Sequence, residues 1–266
     1  MSDAGRHPAP QQQPDWVYER FADVYDLLIY NRFSDRALEK CKKYLAESDL
    51  VVSRLLDLAC GTGHFAIAMA EYGIDVVGVD GARAMIARAR ANSGRRKNNL
   101  RWRHGHFTDF EVPGQFELIT CWFDSLNHLM TNRDVLRCFR RVRRHLAPNG
   151  AFLFDVNTRA AFRERWSMTG YRSTSDYVVH EHGLADPTGE FGWLELEVFV
   201  RRGRRYERYT LPFCQRAFTT ARVRRLLKEA GFERVHVAPF DPSQDLRNAT
   251  RLLVSARRGS RTSRRR

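Results

Sequence analysis

The feature that most constrains the fold is a short apolar run that ends in a glycine turn. Residues 53–60 read SRLLDLAC, Gly61-Thr62-Gly63 follows directly, and apolar residues take up helical spacing from His64. A buried strand that passes through a tight glycine turn into a helix is typical of the first unit of an α/β sheet. The chain is therefore expected to begin such a sheet near residue 53.

The same alternation of strand and helix recurs along the first 156 residues. Further apolar runs predict strands, and helices lie between them at 81–91 and 134–146. The predicted strands are 75–80, 100–104, 116–122 and 151–156. Strands separated by helices of this length indicate a parallel sheet with helices on both faces.

The last third of the chain has a different pattern. Residues 193–200 and 206–213 alternate apolar and polar side chains, which is typical of antiparallel strands with one solvated face. Two more strands are predicted at 235–238 and 251–256. The sheet is therefore expected to begin parallel and to finish antiparallel.

These patterns give a single domain over residues 16–256 that carries a small inserted cap or lid at about 159–215. Residues 1–15 have no apolar central run, so we expect a disordered leader and not a secretory signal. Residues 16–46 have helical spacing, and 257–266 are expected to be a basic disordered tail. No stretch approaches the roughly 20 apolar residues that would cross a bilayer.

The cysteine content and the net charge indicate the cellular compartment and the kind of partner to expect. The five cysteines are odd in number and lack paired spacing, which favours reduced thiols in the cytoplasm. The net charge is +14, but six arginines lie in the tail and the rest are spread over helix faces exposed to solvent. The tail is able to bind polyanions non-specifically, whereas charge alone does not make nucleic acid the substrate.

One acidic-glycine motif carries the chemistry. Asp57 stands before the turn of Gly61 and Gly63, and Asp80 closes the next strand. Ligands of open α/β sheets bind at the carboxyl ends of strands, glycines let the backbone approach them, and an acid after the second strand can accept from a ribose diol. The missing third glycine and the carboxylate of Asp57 argue against a nicotinamide pyrophosphate and favour a cationic ligand.

This motif resembles that of the class I S-adenosylmethionine-dependent methyltransferases. The likeness extends over about residues 18–156, and it is closest to small-molecule N-methyltransferases of the aminosugar type. It implies a Rossmann-like class I methyltransferase fold: a mixed seven-stranded sheet with helices on both faces and a small inserted cap. The resemblance rests on FADVYDLL at 21–28, LLDLACGTG at 55–63, HGHFTDF at 104–110, FELITCWFDSLNHL at 116–129 and LAPNG at 146–150.

The resemblance also implies which residues bind S-adenosylmethionine. The methionyl end is assigned to Asp57, Ala59, Gly61 and Gly63, with Tyr25 and Cys121 beside the cofactor. The ribose is assigned to Asp80. The adenine is assigned to Gly81, Met85, His106 and Phe107. His106 departs from the family, because relatives often have an acid there that accepts from the adenine amino group.

Transfer of a methyl group to an amine requires a base that accepts a proton. His128 follows the fourth strand, where the methyl group is expected, and a neutral histidine suits this role. Tyr18, in the N-terminal helix, is a second candidate that would position the amine, and Asp124 could pair with a cationic amine. His180 and His182 lack a third residue at a spacing typical of metal ligands, so we expect no metal site.

Four functions remain open at this stage. The first is methylation of a small-molecule amine, and the second is small-molecule O-methylation, which the same fold supports. The third is RNA or DNA methylation. It is disfavoured because residues 121–124 read CWFD and lack the Asn/Asp-Pro-Pro-aromatic motif of enzymes that methylate exocyclic base nitrogens. The fourth is a cofactor-binding regulator without activity. A homodimer is compatible with the sequence.

Overall fold

The computed structural model describes residues 14–28, 32–94 and 98–259. A short 3-10 helix spans Ser125–His128. The α-helices are α1 (Asp15–Phe21), α2 (Arg32–Ala46), α3 (His64–Glu71), α4 (Arg83–Ser93), α5 (Asn132–His145), α6 (Arg159–Arg165) and α7 (Thr220–Glu229). The strands are β1 (Arg54–Leu58), β2 (Asp75–Asp80), β3 (Leu100–His104), β4 (Phe116–Cys121), β5 (Leu146–Asn157), β6 (Thr169–Ser173), β7 (Tyr177–Ala185), β8 (Phe191–Arg202), β9 (Arg205–Arg216), β10 (Glu233–Pro239) and β11 (Arg251–Arg257).

The main sheet has seven strands in the order β10-β11-β5-β4-β1-β2-β3. β1 pairs in parallel with β2 and with β4, whereas β11 is antiparallel to both of its neighbours. The predicted mixed seven-stranded sheet is confirmed. Because the chain moves from β1 outward to β2 and β3 and then returns to the other side of β1, the strand order switches between β1 and β4. Ligands of such sheets bind at this point.

Helices cover both faces of this sheet. Adjacent residues Leu55 and Leu56 are each 0% exposed, although their side chains point to opposite faces. Leu55 belongs to a core cluster that includes Cys41 of α2, and Leu56 to a cluster that includes Phe139 of α5 and Val223 of α7. A strand buried on both faces reads as a continuous apolar run, which is why the sequence predicts β1 well.

The cap is a separate antiparallel sheet in the order β6-β7-β8-β9, preceded by α6. The strands expected at 193–200 and 206–213 lie here as the longer β8 and β9, and they do not extend the main sheet. Their apolar face packs on the N-terminal segment, in a cluster that joins Leu196 and Val198 to Val17 and Phe21. The antiparallel end of the main sheet is provided by β11 instead.

The termini differ in detail from the prediction. The segment predicted as helical over 16–46 contains two helices, α1 and α2, with turns at 22–28 and residues 29–31 outside the described part. Arg257, assigned above to the tail, is the last residue of β11, and its guanidinium donates to Asp49 and to the Asn149 carbonyl. Residues 1–13 of the expected leader and residues 260–266 of the expected tail lie outside the described residues. Within the described ranges, the helices are all too short or too polar to cross a bilayer.

Candidate active site

The glycine bend after β1 is a tight left-handed turn. Ala59, Gly61 and Gly63 have φ values of 57°, 54° and 89°. A residue with a side chain cannot replace Gly63 without a clash, because an added Cβ would lie 2.5 Å from the indole of Trp102. An added Cβ on Gly61 would meet nothing within 4 Å. The bend is therefore packed on the Trp102 side and open at Gly61, where a ligand can approach the backbone.

Two buried carboxylates flank this bend. Asp57 accepts a hydrogen bond from Thr120 Oγ1 at 2.8 Å, and burial raises the pKa of Asp57 to about 7. Asp80 accepts from the backbone N–H groups of Gly61 and Ala82, both at 2.9 Å, and burial still raises the pKa of Asp80. Carboxylates whose ionised forms are disfavoured by burial are stabilised by a positively charged ligand.

Asp80 keeps capacity to bind a ligand. Each of its two oxygens accepts one backbone hydrogen bond, and a carboxylate oxygen has two lone pairs. The remaining lone pairs suit the two hydroxyls of a ribose. Asp80 therefore fits both an anchor for the bend and an acceptor for a nucleoside.

Acidic side chains hold the N-terminal segment beside these carboxylates. Glu19 accepts from the N–H groups of Arg83 at 2.7 Å and of Ala84 at 2.8 Å, and so caps the start of α4. Asp26 accepts from Thr62 Oγ1 at 2.6 Å and contacts His64 Nε2 at 3.1 Å. These contacts fix α1 and the turns after it over the bend.

The loop after β4 has an unusual backbone. Phe123 and Asp124 both have positive φ, at 58° and 48°. The Asp155 carboxylate of β5 accepts both of their N–H groups, at 2.7 and 3.0 Å. Arg251 of β11 donates to Asp155 and, at 2.6 Å, to Asp124. Strain of this kind is maintained where surrounding contacts hold it, and it is common at functional sites.

His128 lies at the end of the 3-10 helix that follows this loop, and it is 7% exposed. Its Nδ1 contacts the Cys214 carbonyl at 3.2 Å, and its Nε2 lies 2.7 Å from the Tyr18 hydroxyl. Because a carbonyl only accepts, Nδ1 carries the proton and Nε2 accepts from Tyr18. Burial lowers the pKa of His128, which Asp124 and the Cys214 carbonyl oppose only in part. The imidazole is therefore a neutral base.

A cavity of about 450 Å³ joins these parts. It contains all of the predicted site residues except two: Gly63, which is packed behind the bend, and Cys121. The sequence-predicted residues that line it are Tyr18, Tyr25, Asp57, Ala59, Gly61, Asp80, Gly81, Met85, His106, Phe107 and His128. Gly81 lies against His106, whose Nδ1 would be 3.0 Å from an added Cβ.

The assignment of Cys121 to the cofactor is corrected. Cys121 is the last residue of β4 and is 0% exposed, in the core cluster beneath α5 that includes Cys138. Successive strand residues point to opposite faces, so the next residue, Trp122, lines the cavity instead. The Trp122 indole Nε1 is buried and has no hydrogen-bond partner among the described residues. A donor left without a partner in the cavity wall suits a ligand that carries a carboxylate.

Three polar residues that hold Asp124 and its loop were not predicted from the sequence, and two of them, Gln215 and Arg251, line the cavity. Gln215 donates to Asp124 Oδ2 and lies 3.3 Å from His128 Nε2, and Arg251 pairs with Asp124. Asp155, which supports the loop from behind, stands alone within the apolar run of β5 and is 0% exposed. A single acid inside an apolar strand was the available signal, because such a buried charge requires partners.

Comparisons with known proteins agree with this geometry. Residues 55–150 match the family described as "Methyltransferase domain". The chain is 30% identical to the putative methyltransferase YqeM of Bacillus subtilis (strain 168), over 91% of this chain and 97% of that one. It is 26% identical to a glycine/sarcosine N-methyltransferase of Halorhodospira halochloris, over 88% and 86% of the two chains.

Two further likenesses concern an aminosugar enzyme and a solved structure. The chain is 28% identical to a dTDP-3-amino-3,4,6-trideoxy-alpha-D-glucopyranose N,N-dimethyltransferase of Streptomyces venezuelae, over 85% of this chain and 79% of that one. The crystal structure of an S-adenosylmethionine-dependent methyltransferase from Clostridium acetobutylicum ATCC 824 has the same fold. Its TM-score is 0.76 at 24% identity, and the match covers 91% of this chain and 99% of that chain.

The fold, the flanked glycine bend and these likenesses define a class I S-adenosylmethionine-dependent methyltransferase. Within that class, the chain belongs to the methyltransferase family that includes YqeM of Bacillus subtilis.

Proposed function

We propose that this protein transfers the methyl group of S-adenosylmethionine to the nitrogen of a small-molecule amine. The observation that carries the proposal is the pair of Tyr18 and His128, 2.7 Å apart, which shares one cavity with the carboxylates of Asp57 and Asp80. One part of the cavity suits a cationic nucleoside, and the other offers a neutral base. Relatives named for methylation of glycine and of an aminosugar support an amine acceptor.

The described residues have separate tasks in this reaction. When bound, the cofactor supplies an electrophilic methyl group on a sulfonium. Asp57 would accept from the methionyl ammonium, Asp80 would accept from the ribose hydroxyls, and the Trp122 indole would donate to the methionyl carboxylate. The walls of the cavity would limit the access of water and position the amine for attack on the methyl group.

Tyr18 and His128 manage the proton. A neutral amine that gains a methyl group becomes an ammonium ion and must lose a proton. The Tyr18 oxygen accepts that proton while its own hydroxyl proton passes to His128 Nε2. The Cys214 carbonyl stabilises the resulting imidazolium by accepting from Nδ1, and Asp124 stabilises it by its charge.

The proposal is tested with a radiolabelled methyl donor and pooled small amines, pooled alcohols and phenols, and total RNA as acceptors. We expect label in the amine pool only. His128→Ala should lower the turnover number at least about 100-fold, because general base catalysis contributes that much or more, while its affinity for S-adenosylhomocysteine stays the same. The exposed His180→Ala is the matched control and should behave as wild type.

Each other outcome rejects a specific part. Label in the alcohol pool alone would show that the protein methylates oxygen and not nitrogen. Label in RNA would reject a small-molecule acceptor. Unchanged turnover in His128→Ala would remove the base from the mechanism. Absence of S-adenosylhomocysteine binding would reject the methyltransferase function itself.

A cytoplasmic location forms part of the same proposal. All five cysteines are free thiols and are buried. Reduced thiols of this kind are the rule in a reducing compartment, where a disulfide framework does not form. S-adenosylmethionine as a common intracellular methyl donor is consistent with that location.

A further inference from the structure

The part of the cavity opposite the glycine bend is walled by the inner face of the cap sheet. Alternate residues of β8 and β9 point into it, and Leu194, Leu196 and Phe213 line the cavity. Strand pairing places Leu196 opposite both Glu181 of β7 and Leu211 of β9. The wall that this sheet presents to an acceptor is therefore apolar apart from Gln215 of β9, beside His128, and the polar side chains that β6 and β7 contribute.

Those polar side chains form an ion pair. Arg172 of β6 and Glu181 of β7 both line the cavity, and Arg172 Nη2 lies 2.8 Å from Glu181 Oε1. Their side chains are 43% and 31% exposed, so the pair lies at the mouth, where an incoming acceptor meets it. Glu181 thus forms an ion pair with Arg172 and competes with an acceptor carboxylate for that guanidinium group.

The other arginine of the cavity is also neutralised. Among the described residues that line the cavity, Arg172 and Arg251 are the only arginine or lysine side chains. Arg251 is 13% exposed and bridges Asp124 and Asp155. Both guanidinium groups are therefore paired within the protein.

The carboxylates of the cavity outnumber these two cations. Five acidic residues line it: Asp15, Asp57, Asp80, Asp124 and Glu181. Bound S-adenosylmethionine would add one positive charge in total, because it carries an ammonium, a sulfonium and a carboxylate. The five acidic side chains still outnumber the positive charges, so the cavity keeps an excess of negative charge. A carboxylate or phosphate on the acceptor would be brought near like charges without a free cation, and that costs binding energy.

We propose that the acceptor is an amine with an apolar body and without a carboxylate or phosphate group, and that Glu181 determines this specificity by pairing with Arg172. The inference rests on the proposed N-methylation and names the substrate class for that site. Specificity of this kind arises from an element that repels the wrong ligand as much as from contacts to the right one.

The test uses pairs of acceptors that differ in one anionic group. The pairs are phenethylamine and phenylalanine, tyramine and tyrosine, tryptamine and tryptophan, and glucosamine and glucosamine 6-phosphate. For the pairs that react, we expect kcat/KM of the wild-type protein to be at least about 100-fold higher for the amine that lacks the anionic group, equivalent to about 2.7 kcal/mol. The aromatic amines should exceed glucosamine, because the wall is apolar.

Variants test the role of Glu181. Glu181→Gln should remove the negative charge that pairs with Arg172 and lower the discrimination ratio at least tenfold, mainly by a gain in kcat/KM for the carboxylate-bearing member. The double variant Glu181→Gln with Arg172→Gln should lose that gain. Glu197→Gln is the matched control, because Glu197 pairs with Arg208 on the outer face of the same sheet and should leave the ratio unchanged.

The outcomes separate this inference from the proposed function. Equal or higher kcat/KM for phenylalanine, tyrosine, tryptophan or glucosamine 6-phosphate in the wild-type protein would overturn the inference and leave N-methylation standing. Protein that binds S-adenosylhomocysteine and methylates other amines but none of these probes would also overturn it. A ratio that Glu181→Gln leaves at the wild-type value would remove Glu181 as its determinant.

Discussion

Binding of the cofactor should be coupled to the ionisation of Asp57. Burial raises the pKa of this carboxyl to about 7 in the free protein. A ligand whose ammonium approaches it favours the ionised form, and an opposite charge at such distances lowers a carboxyl pKa by about 1 to 3 units. The site therefore binds the ligand better at a pH where Asp57 has already lost its proton.

The size of the effect follows from the two pKa values. With a pKa of about 7 in the free protein, about 0.1 of the Asp57 carboxyls are ionised at pH 6 and about 0.9 at pH 8. If the bound form has a pKa near 5, the dissociation constant should fall about ninefold from pH 6 to pH 8, or about 1.3 kcal/mol. Binding at pH 7 should release about 0.5 proton.

Isothermal titration with S-adenosylhomocysteine at pH 6, 7 and 8, in two buffers of different ionisation enthalpy, measures both quantities. S-adenosylhomocysteine keeps the ammonium and is chemically stable. Asp57→Asn should bind more weakly at pH 8 and lose most of the pH dependence. Asp75→Asn, an acid at the start of β2 that pairs with Arg101 outside the cavity, should keep it. An affinity that does not change from pH 6 to 8, or a ninefold change that persists in Asp57→Asn, would refute the reasoning.

Two further predictions concern stability, and urea unfolding followed by circular dichroism measures both. Gly63→Ala should lower the free energy of unfolding by about 3 kcal/mol, because it combines a left-handed backbone with a clash against Trp102. Gly73→Ala is its control at φ +82° with open space around it, and it should cost only about 1 kcal/mol; equal losses would contradict the packing argument. Asp155→Asn should cost about 3 kcal/mol, because Arg251 is left with one partner fewer in a buried position. A loss below about 1 kcal/mol would show that the buried pair does not hold the loop.

The sequence predicted those parts of the site that depend on local pattern. The bend at Gly61 and Gly63, with Asp57 before it and Asp80 after the next strand, is defined by a strand, a turn and a helix that are contiguous in the chain. His128 was predicted because a few residues separate it from the end of a strand. In each case the fold class alone determines on which edge of the sheet the side chain lies.

Other parts of the site depend on tertiary contacts that no local pattern contains. Gln215 and Arg251 reach Asp124 from 91 and 127 residues away. Cys121 was assigned to the cofactor by resemblance together with the residues that follow it, but neighbouring residues at the end of a strand point to opposite faces, and Cys121 lies in the core. The cap strands were recognised as antiparallel, but alternation alone does not say which sheet a strand joins.

The position of His128, the proposed base, depends on these long-range contacts. Two consecutive left-handed residues, Phe123 and Asp124, cost about 1–2 kcal/mol each, and the bonds to Asp155 compensate for them. This turn directs the chain into the short helix that carries His128. The Asp155 carboxylate and the Arg251 guanidinium come from β5 and β11, two interior strands of the main sheet. The loop before His128 is thus held by strands of the main sheet, so Nε2 of His128 is oriented toward Tyr18 without a bound ligand.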